Sequence, residues 1–379
     1  MKWVTVYGNA QSIVMPHPAF YAKDLTLRYP VFIPFGGNKL KIRLENFCGK
    51  EDVTIDSVYV ALGEDLSGKQ AARGKYLTFN GLKECKILAG GSIVSDPLDF
   101  DTFADKYLVV SIYLKDYTDL ESGVNIIGPL SKGYFAYGNQ SEFTSFDINK
   151  SDKTNWVHFL TNVDVYTEDD NYCVICYGDS ITSQDWPDYM MLELKEKGIN
   201  NVAVVRKAVS GTRILREYSC ITYQSYGLKG EKRFIHEISS VEGAWDLIIQ
   251  HGINDIIHPV GEDINIFRPM SDLPTVEEMI AGMNYYLNNA IKFNLNVYVG
   301  TLLPIYNWRT YALYKEELKN KFNEYLLSLN CIDFNNEIGE MIDNEYHFKE
   351  NCDSGDHLHP SKYAYKKMGI LAAEKILEK

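Results

Sequence analysis

Tyr177-Gly178-Asp179-Ser180-Ile181 follows an apolar run that reads as a strand. A serine hydroxyl at a strand exit can serve as a nucleophile, but it is weak at its own pKa and needs a base. Asp356-His357-Leu358-His359-Pro360, close to the end of the chain, supplies one. Asp356 and His359 are three apart on a loop ahead of a helix. Both side chains can therefore turn to one side, and the carboxylate can orient the imidazole. Two further segments carry hydrogen-bond donors. Gln250-His251-Gly252-Ile253-Asn254-Asp255 follows the apolar run Leu247 to Ile249, and Asn254 has an amide N–H₂ suited to a developing oxyanion. Ala208-Val209-Ser210-Gly211-Thr212-Arg213 follows Val202 to Val205, and Gly211 lets a backbone N–H approach a ligand closely. Singly, each segment is also an ordinary turn or helix cap. As a set they provide a nucleophile, a base, an orienting acid and oxyanion donors, which is the complement that acyl transfer to water requires.

Such a set works only if the fold gathers it. After residue 170 the pattern is strand, loop, helix, repeated. Strand-like runs are Tyr172 to Tyr177, Val202 to Val205, Leu247 to Gln250, Val297 to Leu303 and Cys331 to Phe334. Helix-like runs are Asp188 to Glu196, Thr275 to Phe293, Thr310 to Leu329 and Pro360 to Glu378, the second opened by the capping box Thr275-x-x-Glu278. This alternation predicts a parallel sheet covered on both faces, a compact three-layer α/β domain with five strands. Ligands bind outside the carboxyl ends of such strands. Three of the four segments follow predicted strands and the fourth precedes the last helix, so all four can meet at one edge.

Before about residue 165 the texture differs. Short alternating stretches such as Lys39 to Leu44, Val53 to Leu62 and Tyr107 to Leu114 are separated by turn residues such as Gly36-Gly37-Asn38 and Asp96-Pro97. That spacing predicts a β-sandwich. Two domains are expected, 1–165 and 166–379. The length of 379 residues gives two or three at about 150 each.

Composition narrows the class. The net charge of −13 argues against a protein that tracks nucleic-acid phosphates. No stretch approaches ~18 consecutive apolar residues, so no membrane span is expected. The N-terminal Met1-Lys2-Trp3-Val4-Thr5-Val6 reads as a first strand rather than a signal peptide, which points to a cytoplasmic protein, or to a secreted one if the chain is a processed form. The seven cysteines are irregularly spaced and suggest no disulfide scaffold. Cys173 and Cys176 form a C-x-x-C, but on a strand residues three apart face opposite sides, which favours core cysteines. The remaining histidines show no metal-ligand spacing.

The second half resembles the SGNH hydrolases, the GDSL family of esterases and lipases. Gly178-Asp179-Ser180-Ile181 is similar to its first block, with Ile181 where the family name has Leu. Gly211 matches the second block, Gly252-Ile253-Asn254-Asp255 the third, and Asp356-His357-Leu358-His359 the fifth. The resemblance implies Ser180 as nucleophile, His359 as base and Asp356 as its orienting acid. It also implies an oxyanion hole from the Ser180 and Gly211 N–H groups and the Asn254 side chain, structural roles for Asp179 and Asp255, and no cofactor. Segments of the first half, among them Thr26-Leu27-Arg28 and Leu40 to Gly49, resemble the jelly-roll-like sandwich that precedes the catalytic domain in a bacterial subgroup. The subgroup often has Gly after the block-five Asp, where this chain has His357. That leaves a second imidazole in reach, although the Asp-x-x-His spacing selects His359. Ser210-Gly211 lacks the usual Asn, which a backbone donor does not need.

Other residues are candidates by position. His251 lies beside the third block. Tyr306 and Trp308 follow a strand at the same edge and could stack on a sugar, wall an acyl pocket or pack in the core. The polar segment from Arg213 to Ile238 reads as a flap or an insertion. The resulting expectation is a serine esterase acting on short acyl esters, acetyl first, plausibly of a glycan or other small molecule. A lipase-like or thioester hydrolase with a longer acyl pocket, and a carbohydrate-binding protein without turnover, remain as alternatives. Oligomeric state is open.

Overall fold

The computed structural model describes residues 1–14, 21–68, 70–145 and 151–378; His17 lies outside them. The chain forms two compact units. One comprises 1–173 with 198–205 and 241–243; the other comprises 174–197, 206–240 and 244–379.

The first unit is built on two main antiparallel sheets. One runs Lys2–Gly8, Leu160–Thr167, Gly37–Glu45, Ser92–Val94, with Leu98–Thr102 also pairing on Gly37–Glu45. The other runs Ser151–Thr154, Gly133–Tyr137, Leu25–Ile33, Lys106–Leu114, Ser57–Gly63, Lys75–Tyr76. The alternation in Lys39 to Leu44 works as expected: Leu40, Ile42 and Leu44 are fully buried. The run expected from Val53 to Leu62 breaks at Asp56 into Val53–Ile55 and Ser57–Gly63, and its first piece pairs elsewhere, with Cys85–Ile87. Arg28 is buried, and its guanidinium donates to Ser111 Oγ (3.0 Å) and to the carbonyls of Gly68 (3.3 Å) and Gln140 (2.9 Å). Residues 241–243 belong to this unit because Thr5 N–H donates to Glu242 O (3.0 Å), Glu242 N–H donates to Thr5 Oγ1 (2.8 Å), and Lys41 pairs with Glu242 (2.9 Å).

The strands that carry the candidate segments form a five-stranded sheet in the order Val202–Ala208, Tyr172–Gly178, Ala244–Gln250, Asn296–Gly300, Cys331–Ile332. The last three are joined by parallel pairings, for example Leu247 with Val297 and Val299 with Cys331. Cys173 and Cys176 are fully buried in the Tyr172–Gly178 strand, and neither forms a disulfide. Among the described residues, eight α-helices alternate with these strands: α1 (Ser180–Ser183), α2 (Trp186–Glu196), α3 (Gly230–Ser239), α4 (Ile253–Ile257), α5 (Val276–Lys292), α6 (Leu313–Leu327), α7 (Phe334–Ile338) and α8 (Lys362–Leu377). The capping box at α5 is made in full: Glu278 N–H donates to Thr275 Oγ1 (3.2 Å) and Thr275 N–H to Glu278 Oε2 (2.9 Å). α8 starts later than its sequence suggests, because Ser361 caps it through Ala364 N–H (3.2 Å). The strand expected to reach Leu303 ends at Gly300, and the one expected to reach Phe334 ends at Ile332, where Asp333 caps α7. A small hairpin of Gly339–Ile342 and Glu345–Phe348 carries too little periodicity to have been expected. No helix among the described residues is long and apolar enough to cross a membrane.

A buried arginine on α3 organises the strand exits. Arg233 is 1% exposed. Its guanidinium donates to Gly178 O (2.6 Å), Thr212 Oγ1 (3.1 Å), Lys207 O (3.3 Å) and Glu237 Oε2 (2.5 Å). It also lies 4.4 Å from the centre of the Tyr177 ring, whose hydroxyl donates to Gly230 O (3.0 Å). One side chain thus binds the end of one strand to the loop that follows the next. Removing one member of a buried ion pair strands the other in low dielectric and costs about 3–5 kcal/mol. Arg233→Met should lose stability on that scale in urea denaturation; a loss under about 1 kcal/mol would show that Arg233 does not hold these elements.

Candidate active site

Ser180 opens α1 immediately after the Tyr172–Gly178 strand. Gly178 is required at the exit, because a Cβ there would stand 2.3 Å from Gln250 O and 2.4 Å from Thr182 Oγ1. Asp179 caps α1, its Oδ1 accepting from Ile181 N–H (3.0 Å). The Ser180 N–H, in the first turn, has no carbonyl four residues back within the helix. Asp179 is fully buried and its second carboxylate oxygen has no partner. Burial pushes its pKa up to about 7, against the smaller opposing pull of the Ile181 N–H, His359 and Arg233.

Two chain segments 179 residues apart meet at Ser180. Its Oγ lies 2.9 Å from His359 Nε2, and His359 Nδ1 lies 2.6 Å from Asp356 Oδ2. A carboxylate only accepts, so Nδ1 carries the hydrogen and Nε2 presents a lone pair to the serine. Asp356 is itself held: Oδ1 accepts from the backbone N–H groups of Leu358 (3.0 Å) and His359 (2.8 Å) and from Ser354 Oγ (3.1 Å). Partial burial pushes the carboxyl upward, but the His359 ring and these N–H donors outweigh it and hold Asp356 well below the ordinary carboxylate range.

His357 is accounted for by the same loop. Its backbone is left-handed, with φ of 63°. That region suits glycine, which is the residue the related subgroup often carries there. The imidazole turns to Asp353, with Nδ1 2.6 Å from Oδ2, and the His357 N–H donates to Asp353 Oδ1 (3.0 Å). Geometry therefore pairs each histidine with its own aspartate, His359 with Asp356 and His357 with Asp353.

The loops after the neighbouring strands are tied to this centre. Val209 N–H donates to Gly178 O (3.2 Å), and Ser183 Oγ bridges Ser210 Oγ (3.0 Å) and Ser180 O (3.1 Å). Gly211 has φ of 82°, and a Cβ there would stand 2.2 Å from the Tyr226 ring. Both the backbone and the covering ring demand glycine. Asn254, 3% exposed, donates one amide hydrogen to Thr212 O (3.0 Å) and keeps a second for a ligand. Asp255 accepts from Ile214 N–H (2.7 Å) and Leu215 N–H (3.1 Å), which fastens the Gly211 loop to α4.

The outlying candidates fare differently. His251 is fully buried. Nε2 lies 2.8 Å from Thr212 Oγ1 and Nδ1 3.0 Å from Tyr286 Oη, and burial, reinforced by Arg233, holds its pKa far below the usual range. The expectation that His251 binds substrate is corrected: a neutral ring with both nitrogens bonded inside the protein braces the loop and offers a ligand no surface. Tyr306 and Trp308 are half-buried. Tyr306 lies 3.8 Å, centre to centre, from His347 on the hairpin, and the Arg309 guanidinium is 4.6 Å from the Trp308 ring. The Arg213 to Ile238 segment is neither wholly flap nor wholly insertion: its second part is α3, with Arg233 at its centre. Its first part folds the 3₁₀ turn Ile221–Tyr226 so that Tyr226 covers Gly211. Tyr226, Arg233 and Asp353 were not singled out in the sequence. The only trace of the first is the Tyr223-x-x-Tyr226 spacing.

The model of the GDSL-like lipase/acylhydrolase family matches residues 162–371. No curated protein matches the sequence. Among solved structures the chain is similar to a GDSL-like lipase from Bacteroides thetaiotaomicron (16% identity, TM-score 0.39), covering 54% of this chain and 88% of that one. It is also similar to a carbohydrate acetylesterase from Sinorhizobium meliloti (15% identity, TM-score 0.41, 55% of this chain and 99% of that one). A third likeness is to an aryl esterase of M. smegmatis (15% identity, TM-score 0.40, 55% and 99%). With the family match spanning more than half of the chain, this protein belongs to the GDSL-like lipase/acylhydrolase family and is a carboxylic ester hydrolase.

Proposed function

We propose that the protein is a serine esterase of short acyl esters that works through an acyl-enzyme, with Ser180 as nucleophile, His359 as base and Asp356 as its orienting acid. The relay Ser180 Oγ to His359 Nε2 to Asp356 Oδ2, at 2.9 and 2.6 Å, carries this reading. As Oγ attacks the ester carbonyl, Nε2 takes its proton and Asp356 stabilises the imidazolium. The oxyanion is received by the N–H groups of Ser180 and Gly211 and by the free amide hydrogen of Asn254. His359 then returns the proton to the leaving alcohol, and water activated by the same nitrogen releases the acid.

Acetyl is the proposed acyl group. The Tyr226 ring lies against Gly211, which supports a confined space beside the oxyanion donors. A carbohydrate alcohol is proposed from the aromatic residues near the strand exits, Tyr306 and Trp308 included. For the finer architecture the proposal is a three-layer domain over 166–379 that follows, in the chain, a jelly-roll-like sandwich over 1–165.

Ser180→Ala should lower p-nitrophenyl acetate turnover by about 10⁴-fold or more while leaving the circular dichroism spectrum unchanged; undiminished turnover would remove Ser180 from the mechanism. In a series from acetate to palmitate, kcat/KM should fall with chain length, and a maximum at palmitate would favour the lipase-like alternative. Asp179 gives a pH signature. Its folded pKa of about 7 lies above the unfolded value of about 3.9, so the folded state binds the proton more tightly. The resulting cost is absent below the unfolded pKa, grows as pH rises towards about 7, and is constant above it. The melting temperature of Asp179→Asn relative to the parent should therefore climb from pH 4 to pH 7 and then level off; parallel curves would contradict it.

A further inference from the structure

We propose that the substrate carries an anionic group, a carboxylate or phosphate, received by Arg268 and Arg309 beside the ring cluster that covers the Gly211 loop. The proposal rests on Ser180 hydrolysis and adds the charge of the molecule hydrolysed.

The rings begin at the centre already described. Tyr226, against Gly211, stacks on His258 at 5.1 Å and on Tyr223 at 5.6 Å, and Tyr218 packs 4.7 Å from Tyr223. Tyr223 is held by Asn265, whose amide donates to its hydroxyl (2.7 Å). Tyr223 and Tyr226 are half-buried, as a platform for a ligand would be.

Four cations gather around this cluster: Ile257 O, next to His258, accepts from Arg268 and from Thr310 Oγ1 (2.7 Å), which adjoins Arg309; Lys315 donates to Pro259 O on the other side of His258; and Arg213 lies over Tyr218, whose ring packs on His258. Arg213 lies 4.3 Å from the Tyr218 ring and is neutralised by Asp272 at 2.9 Å. The other three have no carboxylate partner among the described residues. Lys315, 2% exposed, meets only the carbonyls of Pro259 (2.7 Å) and Thr310 (3.0 Å). Arg268 lies 6.0 Å from the Tyr223 ring, donates to Ile257 O at 3.4 Å and faces the Tyr218 hydroxyl, and its Nε has no close hydrogen-bond partner. Arg309 is exposed, over Trp308. His258 is 6% exposed, and its Nδ1 likewise has no partner.

A chain with net charge −13 has carboxylates in excess, yet none neutralises these three cations. Buried polar and charged groups are normally paired, because desolvation without a partner is costly; that bears on Lys315 and on the half-buried Arg268, whereas Arg309 is exposed and free to meet a ligand from solvent. An anion brings several acceptor oxygens at once, and guanidinium groups suit carboxylate and phosphate geometry. The aromatic faces would hold the apolar side of the same molecule. The negative field of the rest of the surface would repel such a substrate, so the cations also offset that repulsion locally.

The test compares kcat/KM on matched pairs of esters, with the whole chain. One pair is an acetylated methyl glucuronoside and the corresponding acetylated methyl glucoside. The other is p-nitrophenyl hemisuccinate and p-nitrophenyl butyrate, which have the same number of acyl carbons. A preference of about tenfold or more for the charged member is expected in one pair, lost in Arg268→Gln and reduced in Arg309→Gln. The first pair places the charge on the alcohol and the second on the acyl group. In the unaltered protein the preference should also shrink as salt rises, a readout that needs no variant to fold. Equal kcat/KM within both pairs at low salt would overturn the proposal. Inertness towards every ester, p-nitrophenyl acetate included, would overturn the esterase reading itself.

Discussion

Arg233 is the interaction on which the candidate centre depends. Its guanidinium binds the carbonyl that ends one strand, a carbonyl of the next strand and a hydroxyl from the loop after it. Strand exits have no ladder to hold them, so their conformation must come from side chains. Buried charge alone would be costly there. Glu237 at 2.5 Å, the Tyr177 ring and three protein oxygens make it sustainable.

Around that anchor the loops brace one another. Thr212 is a shared node: its hydroxyl meets Arg233 and His251, and its carbonyl accepts from Asn254. Asp255 fastens the same loop through two backbone N–H groups. Ser183 and Ser210 close the circuit back to Ser180. Residues around the candidate centre thus act mostly on one another, which would keep the proposed donors in place before substrate arrives.

The two histidines of the last loop show how position decides role. Both have an aspartate at 2.6 Å. His357 takes a left-handed backbone and faces Asp353, whereas His359 reaches Ser180. Adjacent residue types cannot separate these outcomes, since both are imidazoles on one loop. The φ angle separates them, because it turns the two rings to different neighbours.

The sequence by itself determined the alternating strand pattern of both halves, the capping box at α5, and the residues at the strand exits. Each of these is a local property: side-chain period, cap chemistry, or a glycine where no Cβ fits. The Gly178, Gly211 and Gly252 positions were legible because their neighbours were polar residues of a catalytic type. Tertiary structure alone decided the rest. His251 looked like a crevice residue beside Asn254, but packing encloses it between Thr212 and Tyr286. Tyr226 and Arg233 sit in a segment with no marked period, and only folding brings them to Gly211 and Gly178. The grouping of Arg268, Arg309 and Lys315 about the Ile257–Pro259 backbone is likewise invisible in a chain whose overall charge has the opposite sign. Pairing over long sequence separations follows from which surfaces bury together, and one-dimensional spacing does not encode it.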